Sequence, residues 1–292
     1  MAASTSMADR DGVIWYDGRM VPWREATTHV LTHTLHYGMG AFEGIRAYQT
    51  PAGTAVFRLK EHTDRLFNSA RILNMRMPFD KGTINNAVLA SIRENKLAEA
   101  YIRPMCFYGA EGMGLRADNL SVHVIVAAWD WGAYLGADGV KNGIRVRTSS
   151  FNRHHPNVAM CRAKANGQYI NSMMALQEAL AAGADEAMLL DTEGYVSEGS
   201  GENIFIVRGG ELITPDQTTP LDGITRMSVV QLAQESGLKV TMRRITRDEV
   251  YIADEAFFTG TAAEVTPIRE VDGRPIGAGR RDQHREWLTP VT

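Results

Sequence analysis

Two periodicities alternate along this chain. Short stretches with every second residue apolar give way to longer ones whose apolar positions recur every three or four residues, the pattern of strands interleaved with helices. Ile14 to Val21 reads as a hairpin, with Asp17-Gly18 supplying the positive backbone angles of a tight turn. Ala55 to Leu59 predicts a short strand, and Leu66, Ala70, Leu73 and Met77 predict a helix that Pro78 stops. A second helix carries Ile84, Val88, Leu89 and Ile92. Tyr101 to Tyr108 alternates as a strand with Tyr101, Arg103, Met105 and Phe107 on one face, and Ser121 to Trp129 is a β-branched, well-buried strand.

Trp129 to Gly139 is aromatic and glycine-rich without periodicity, so it reads as a linker, and its exposed aromatics between glycine hinges also suit a binding loop. Beyond it come a strand at Ile144 to Thr148, a helix with Ile170, Met173, Met174, Gln177 and Leu180 that ends at Gly183, and strands at Glu186 to Leu190 and Asn203 to Val207. Gly209-Gly210 turns the chain into Glu211 to Thr214, and a helix that turns Met227, Val230, Leu232 and Ala233 inward ends at Gly237. A strand at Ala256 to Thr259, the turn Gly260 to Ala263 and a hairpin at Asp272-Gly273 complete the pattern. The expected fold class is α/β, in two α/β domains: a small one over residues 1–128, an interdomain loop over 129–139 and a large one over 140–292.

The 292 residues suffice for two domains, and 44% hydrophobic with 22% charged content is that of a soluble globular protein. A net charge of −3 without a basic block argues against nucleic-acid or membrane-surface partners, and no apolar run approaches the ~20 residues of a membrane span. The small, polar residues Met1 to Asp9 lack the apolar core of a signal peptide, and Cys106 and Cys161 form neither a disulfide framework nor a metal pair; cytoplasm is the expectation.

Three features invite a chemical reading. His29, His33 and His36 share helical spacing, as in a zinc site, but no nearby carboxylate completes the set, so a packed, hydrogen-bonded loop is the preferred reading and no metal is expected. Gly38-Met-Gly40-Ala-Phe-Glu-Gly44 imitates a dinucleotide fingerprint, yet its last spacing is one residue too long and no apolar strand leads into it. Lys164, one of six lysines, sits between two alanines just ahead of a helix. There it is either a surface lysine at a helix entrance or a partly desolvated amine able to attack an aldehyde.

Downstream residues change that balance. Glu198 lies in a glycine-rich segment, Gly223-Ile224-Thr225 opens a helix whose free N–H groups suit an anion, and Gly260-Thr261 is a second small-residue turn. A lysine, a carboxylate and two phosphate cradles together meet the needs of pyridoxal phosphate, although each alone has a structural reading.

The motifs His36-Tyr37-Gly38, Phe42-Glu-Gly44-Ile-Arg46, Phe57-Arg58, Tyr101-Ile-Arg103-Pro, Ala163-Lys164-Ala-Asn-Gly-Gln-Tyr169, Glu198-Gly-Ser-Gly-Glu-Asn203, Gly223-Ile-Thr-Arg226 and Phe258-Thr-Gly-Thr-Ala-Ala-Glu264 resemble, in order, those of the branched-chain amino-acid aminotransferases. These are fold-type IV pyridoxal-phosphate enzymes. The pairing of Tyr101-Ile-Arg103 with Trp131-Gly-Ala-Tyr134 points to that subgroup within the superfamily.

The resemblance implies two α/β domains with pyridoxal 5'-phosphate between them and amino transfer from Leu, Ile or Val to 2-oxoglutarate. It implies that Lys164 carries the imine and shuttles the α-proton, that Tyr169 faces the cofactor phenolate and that Glu198 faces its ring nitrogen. Arg58, Gly223, Ile224, Thr225, Gly260 and Thr261 would hold the phosphate, with Leu221 against the ring. Tyr37, Phe42, Gly44, Tyr101, Arg103, Trp131 and Tyr134 would line the substrate side, with Met113 and Leu115 from a neighbouring subunit of a homodimer or higher homo-oligomer. Thr261 and Ala262 would take the α-carboxylate. The rival readings are a D-amino-acid or amine transaminase, an aminodeoxychorismate lyase, or a regulatory protein that binds the cofactor without turnover. Two departures stand out: Gln168 replaces a frequent asparagine, and only Asp282 to Thr292 follow where a long terminal helix is usual.

Overall fold

The computed structural model describes residues 6–132, 139 and 142–277. They fall into two compact units, one from Met1–Trp131 with Ala163–Gln168 and one from Gly132–Arg162 with Tyr169–Thr292.

The first unit contains β1 (Val13–Tyr16), β2 (Arg19–Pro22), α1 (His33–Tyr37), β3 (Gly40–Phe42), β4 (Ile45–Thr50), β5 (Gly53–Val56), α2 (Leu59–Ile72), α3 (Lys81–Glu94), β6 (Ala100–Tyr108) and β7 (Val122–Trp129). Its strands form a seven-stranded sheet in the order β2-β1-β7-β6-β4-β5, with β3 also paired to β6. The β1–β2 turn has positive φ at both Asp17 (47°) and Gly18 (95°), as the sequence predicts. Leu66 and Ala70 of α2 and Ile84 and Val88 of α3 bury against Ile45, Ile102, Val124 and Val126 of the sheet.

Two boundaries differ from expectation. Arg58 is not in a strand; it takes a left-handed φ of 52° and caps the start of α2, so the preceding strand stops at Val56. Helix α2 ends at Ile72, well before Pro78, because Asn74 adopts a left-handed φ of 56° while Asn74 N donates to Arg71 O (3.1 Å) and Met75 N to Ala70 O (2.8 Å). That closing pattern satisfies the last carbonyls of a helix without proline. The three histidines bond to backbone: His33 Nε2 to Gly114 O at 2.7 Å, His36 Nε2 to Val30 O at 2.9 Å, and His29 Nδ1 from Leu31 N at 3.1 Å.

The second unit contains β8 (Ile144–Thr148), α4 (Tyr169–Ala181), β9 (Glu186–Leu190), β10 (Val196–Gly199), β11 (Asn203–Arg208), β12 (Glu211–Thr214), α5 (Ile224–Glu235), β13 (Lys239–Met242), α6 (Arg247–Tyr251), β14 (Glu255–Gly260), β15 (Glu264–Val271) and β16 (Arg274–Pro275). These strands form a nine-stranded sheet in the order β10-β9-β8-β15-β14-β11-β12-β13, with β16 on β15. The parallel pairs β8/β9 and β12/β13 are each joined through a helix, α4 and α5, as parallel neighbours require. No helix among the described residues is long and apolar enough to cross a membrane.

Helix α4 turns its small residues inward. Its buried residues are Ser172, Ala175 and Ala179; the two alanines pack on Ala187 and Leu189, while Ile170, Met173, Met174 and Leu180 are exposed. Small side chains let the helix lie close to the sheet, and the larger ones are left outside. In α5, Met227 is likewise exposed and Arg226 is buried, donating to Thr214 Oγ1 (3.1 Å) and Pro215 O (2.7 Å).

An ion cluster lies inside the first unit. Glu43, with no exposure, accepts from Arg65 Nε (2.6 Å) and Nη2 (2.9 Å), and its Oε2 lies 2.7 Å from His62 Nδ1. Burial alone would push the Glu43 carboxyl up, but the Arg65 guanidinium and the His62 hydrogen bond hold it down at about 2. Burial pushes His62 down, with the Arg65 and Lys164 cations adding to it and the Glu43 hydrogen bond and charge opposing it. Both groups have folded-state values below their unfolded ones, so their contribution is full above those unfolded values and fades as pH falls. Stability should therefore begin to fall below about pH 6.5 through His62 and fall further from about pH 4.5 toward 2 through Glu43. The Glu43 share is about 3 kcal/mol. Urea melts of the wild type and Glu43→Gln between pH 7 and pH 3 test this: the variant should lose much of the acid-dependent slope, and an unchanged slope contradicts the assignment.

Candidate active site

Lys164 sits in the first unit on a segment laid antiparallel to β3. Ala41 and Ala165 form an isolated bridge, Phe42 N donates to Lys164 O at 3.1 Å, and Gly167 N donates to Gly38 O at 3.0 Å. The two glycines meet backbone to backbone, and a Cβ on Gly38 would stand 2.9 Å from Gly167 Cα, which explains why this crossing has no side chains. On the other side, Lys164 N donates to Ser69 Oγ of α2 at 2.9 Å. The lysine is thus part of a strand-like segment and not the first residue of a helix; α4 starts five residues later, at Tyr169, after the 3-10 turn Asn166–Gln168.

An aromatic wall faces this amine. Lys164 Nζ lies 5.0 Å from the Phe42 ring centroid, and Arg103 Cζ lies 4.6 Å from the same centroid and 5.2 Å from that of Tyr101. Arg103 Nη2 donates to Tyr101 Oη at 2.9 Å, while Arg103 Nε is buried without a hydrogen-bond partner. No carboxylate pairs with Arg103 among the described residues. Trp131 stands edge-on to Tyr101 with centroids 4.6 Å apart, and Arg46 Nη1 holds Trp131 O at 3.0 Å. A Cβ on Gly44 would collide with the Tyr101 hydroxyl, so this turn needs glycine.

The second unit carries a carboxylate and an uncapped helix start. Glu198, on β10 and buried, has Oε1 2.5 Å from Arg153 Nε, and its Oε2 accepts from Leu221 N (3.1 Å) and Asn203 Nδ2 (3.3 Å). Asn203 Nδ2 also donates to Leu221 O at 3.0 Å, so one amide ties the carboxylate to the turn before α5. Helix α5 begins at Ile224 with Gly223 as its cap and no side-chain acceptor for its first amides. Such amides attract an anion. A Cβ on Gly223 would overlap Asn203 Oδ1. Opposite Asn203 on β14, Thr259 has a buried hydroxyl without a partner. Gly260 closes β14, and Thr261–Ala263 is the loop to Glu264, which takes a left-handed φ of 54°. Uncapped amides, an orphaned hydroxyl and a restrained carboxylate fit a ligand with a phosphate and a basic ring nitrogen.

The chain matches the family model for class IV amino-transferases over residues 40–271. It belongs to the class IV aminotransferases. It is 70% identical over 283 residues to a branched-chain-amino-acid aminotransferase of Pseudomonas aeruginosa, covering 97% of this chain and 92% of that protein. Among solved structures it is similar to the Escherichia coli branched-chain amino acid aminotransferase, with a TM-score of 0.94, 44% identity and coverage of 96% and 93%. It is also similar to the branched-chain aminotransferase of the archaeon Thermoproteus uzoniensis, solved with norvaline, with a TM-score of 0.91, 42% identity and coverage of 97% and 93%.

The other expected site residues of this class IV aminotransferase are distributed as follows. Tyr169, Leu221, Thr225, Thr261 and Ala262 of the second unit are all half-buried. Tyr37 is exposed on α1, and its hydroxyl accepts from Gly114 N at 3.2 Å, holding the loop that presents Met113 (50% exposed) and Leu115 (91%). Tyr134 lies outside the described residues. Arg58 stands at the head of α2, where its Nη1 pairs with Glu61 at 3.1 Å; Arg65, further along the helix, belongs to the Glu43 cluster. Sequence reasoning missed Arg153 and Asn203 as site residues. Asn203 closes the quoted Glu198 motif, a signal present but unused, whereas Arg153 lies well before its carboxylate with no motif to mark it.

Gly223→Ala should leave the fold intact but displace Asn203 and disturb both Glu198 and the α5 amides. The apparent Kd for pyridoxal phosphate, measured by absorbance titration, should rise by roughly tenfold or more, as a misplaced set of anion donors implies. An unchanged Kd removes α5 from the anion site.

Proposed function

We propose that this chain is a pyridoxal-phosphate-dependent branched-chain amino-acid aminotransferase that passes the amino group of leucine, isoleucine or valine to 2-oxoglutarate. The observation that carries the reading is the pair of cations over one ring: the Lys164 amine and an Arg103 guanidinium without a carboxylate partner among the described residues, at 5.0 and 4.6 Å from the Phe42 centroid. Such a transaminase must accept an alkyl chain in one half-reaction and a carboxylate in the other. The Phe42, Tyr101 and Trp131 rings suit the alkyl chain. Arg103 meets the carboxylate, whose unpaired burial would cost several kcal/mol.

Pyridoxal phosphate, when bound, supplies a conjugated ring that withdraws electrons from the amino acid's α-carbon. Lys164 would be the amine that holds it covalently and the base that moves the α-proton. Glu198, restrained by Arg153 and Asn203, would hold a proton at the ring nitrogen, and Tyr169 would serve the phenolate oxygen. The α5 amides of Ile224 and Thr225 and the turn at Gly260-Thr261 would hold the phosphate. Arg58 would serve the phosphate as the resemblance implies, and its partly exposed pair with Glu61 at the head of α2 is of the weak kind. Two apolar displays, Met113 with Leu115 and the outer face of α4, support a homo-oligomer. Cys106 and Cys161 are buried and free, in keeping with a cytoplasmic enzyme.

Lys164→Ala should abolish turnover while far-UV circular dichroism stays that of the wild type; near-normal activity would reject the reading. Arg103→Met should weaken glutamate and 2-oxoglutarate by roughly 2–4 kcal/mol in kcat/KM, the scale for an unpaired buried charge, with leucine much less affected. Equal losses for both substrates would make Arg103 structural.

A further inference from the structure

The motif Phe42-Glu43-Gly44 contains a side chain for which the reaction as described has no use. Glu43 is fully buried and ionised, bonded to His62 and Arg65. Its pH-linked contribution is measured against a protonated Glu43; measured against apolar residues of the same volume, such a cluster often brings no net stability, because desolvating the charges offsets their attraction. Its place in the bonding around the lysine is more specific. His62, Arg65 and Ser69 follow each other along the buried side of α2, at i, i+3 and i+7. Ser69 Oγ accepts from Lys164 N at 2.9 Å. Phe42 N, one residue before Glu43, donates to Lys164 O at 3.1 Å, and Glu43 N donates to Pro104 O of β6 at 2.8 Å. The N–H and the C=O of Lys164 thus each bond to a residue held by α2: Ser69 directly, and Phe42 through the side chain of its neighbour.

We propose that Glu43, His62 and Ser69 are positioning residues, which lock the Phe42–Gly44 turn and the Lys164 segment to one face of α2 and so fix where the amine stands over the Phe42 ring. Charged, directional bonds suit this task, because an apolar Glu43 replacement would fill the space without fixing the turn along the helix. The turn has little freedom otherwise, since Gly44 already abuts the Tyr101 hydroxyl. The inference rests on Lys164 being the reactive lysine.

The test uses the full-length holoenzyme as wild type, Glu43→Gln and Ser69→Ala, each held well below its own melting temperature. Cofactor content, circular dichroism in the cofactor's visible band, and kcat and KM for leucine are read together. The visible band reports the cofactor's setting, which a residue that only stabilises the fold would not move. With stoichiometric cofactor, the band should change in both variants, and kcat should fall about tenfold or more in Glu43→Gln and about threefold or more in Ser69→Ala, with KM little changed. An unchanged band with kcat within about twofold of wild type in either variant overturns the proposal. Should Glu43→Gln not fold, Ser69→Ala decides by the same two readings. A wild type inactive on leucine, or a Lys164→Ala variant with normal turnover, would instead count against the proposed function.

Discussion

In the proposed reaction one amine must both hold a cofactor and move a proton, which works only if its backbone stays still, and the fastening of Lys164 is the constraint on which much else in the first unit depends. Its N–H bonds to Ser69 and its C=O receives Phe42 N. The Phe42 ring, the Tyr101 and Trp131 rings around it and Arg103 are set relative to the lysine by the same turn. Glycines at 38 and 44 are consequences of this fastening, because chains and rings that approach so closely leave no room for a Cβ.

The second unit solves a different problem, that of holding negative charge. Arg153 and the Asn203 amide restrain Glu198, and the same amide reaches the turn that leads into α5. A carboxylate and an anion-seeking helix start are thereby coordinated by one side chain, with Gly223 keeping the space that Asn203 Oδ1 occupies. The buried Arg226 fixes α5 from below through Thr214 and Pro215. Both charged centres are therefore preorganised, which is what electrostatic catalysis asks of a protein.

How much was legible in the sequence depended on whether the physics was local. Turns that need glycine were readable: Asp17-Gly18, and the helix ends at Gly183 and Gly237. The ends of α2 and α3 use Asn74 and Lys96 in the same left-handed conformation; asparagine enters it readily, a signal left unused, whereas nothing in the residue type of Lys96 announces it. The periodicity of α4 marks a face without saying whether sheet or solvent receives it, and Ala175 and Ala179 went to the sheet; in α5, Met227, expected inward, is exposed. Lys164 and Glu198 stood out once the motifs were read together as a resemblance. Arg153 and the Glu43–His62–Arg65 cluster are products of tertiary contact, invisible to spacing. Arg58 drew attention as half of a familiar dipeptide, while the left-handed turn it makes at the head of α2 left no mark in the alternation around it.

The central claim is that one site accepts both an apolar and an acidic L-amino acid. Its most direct measurement is a single-turnover half-reaction of the purified holoenzyme, followed by cofactor absorbance, with L-leucine, L-glutamate and D-alanine offered separately. L-leucine and L-glutamate should each convert the cofactor fully while D-alanine leaves the spectrum unchanged. Conversion by D-alanine with none by L-leucine, or by L-leucine with none by L-glutamate, would contradict the account.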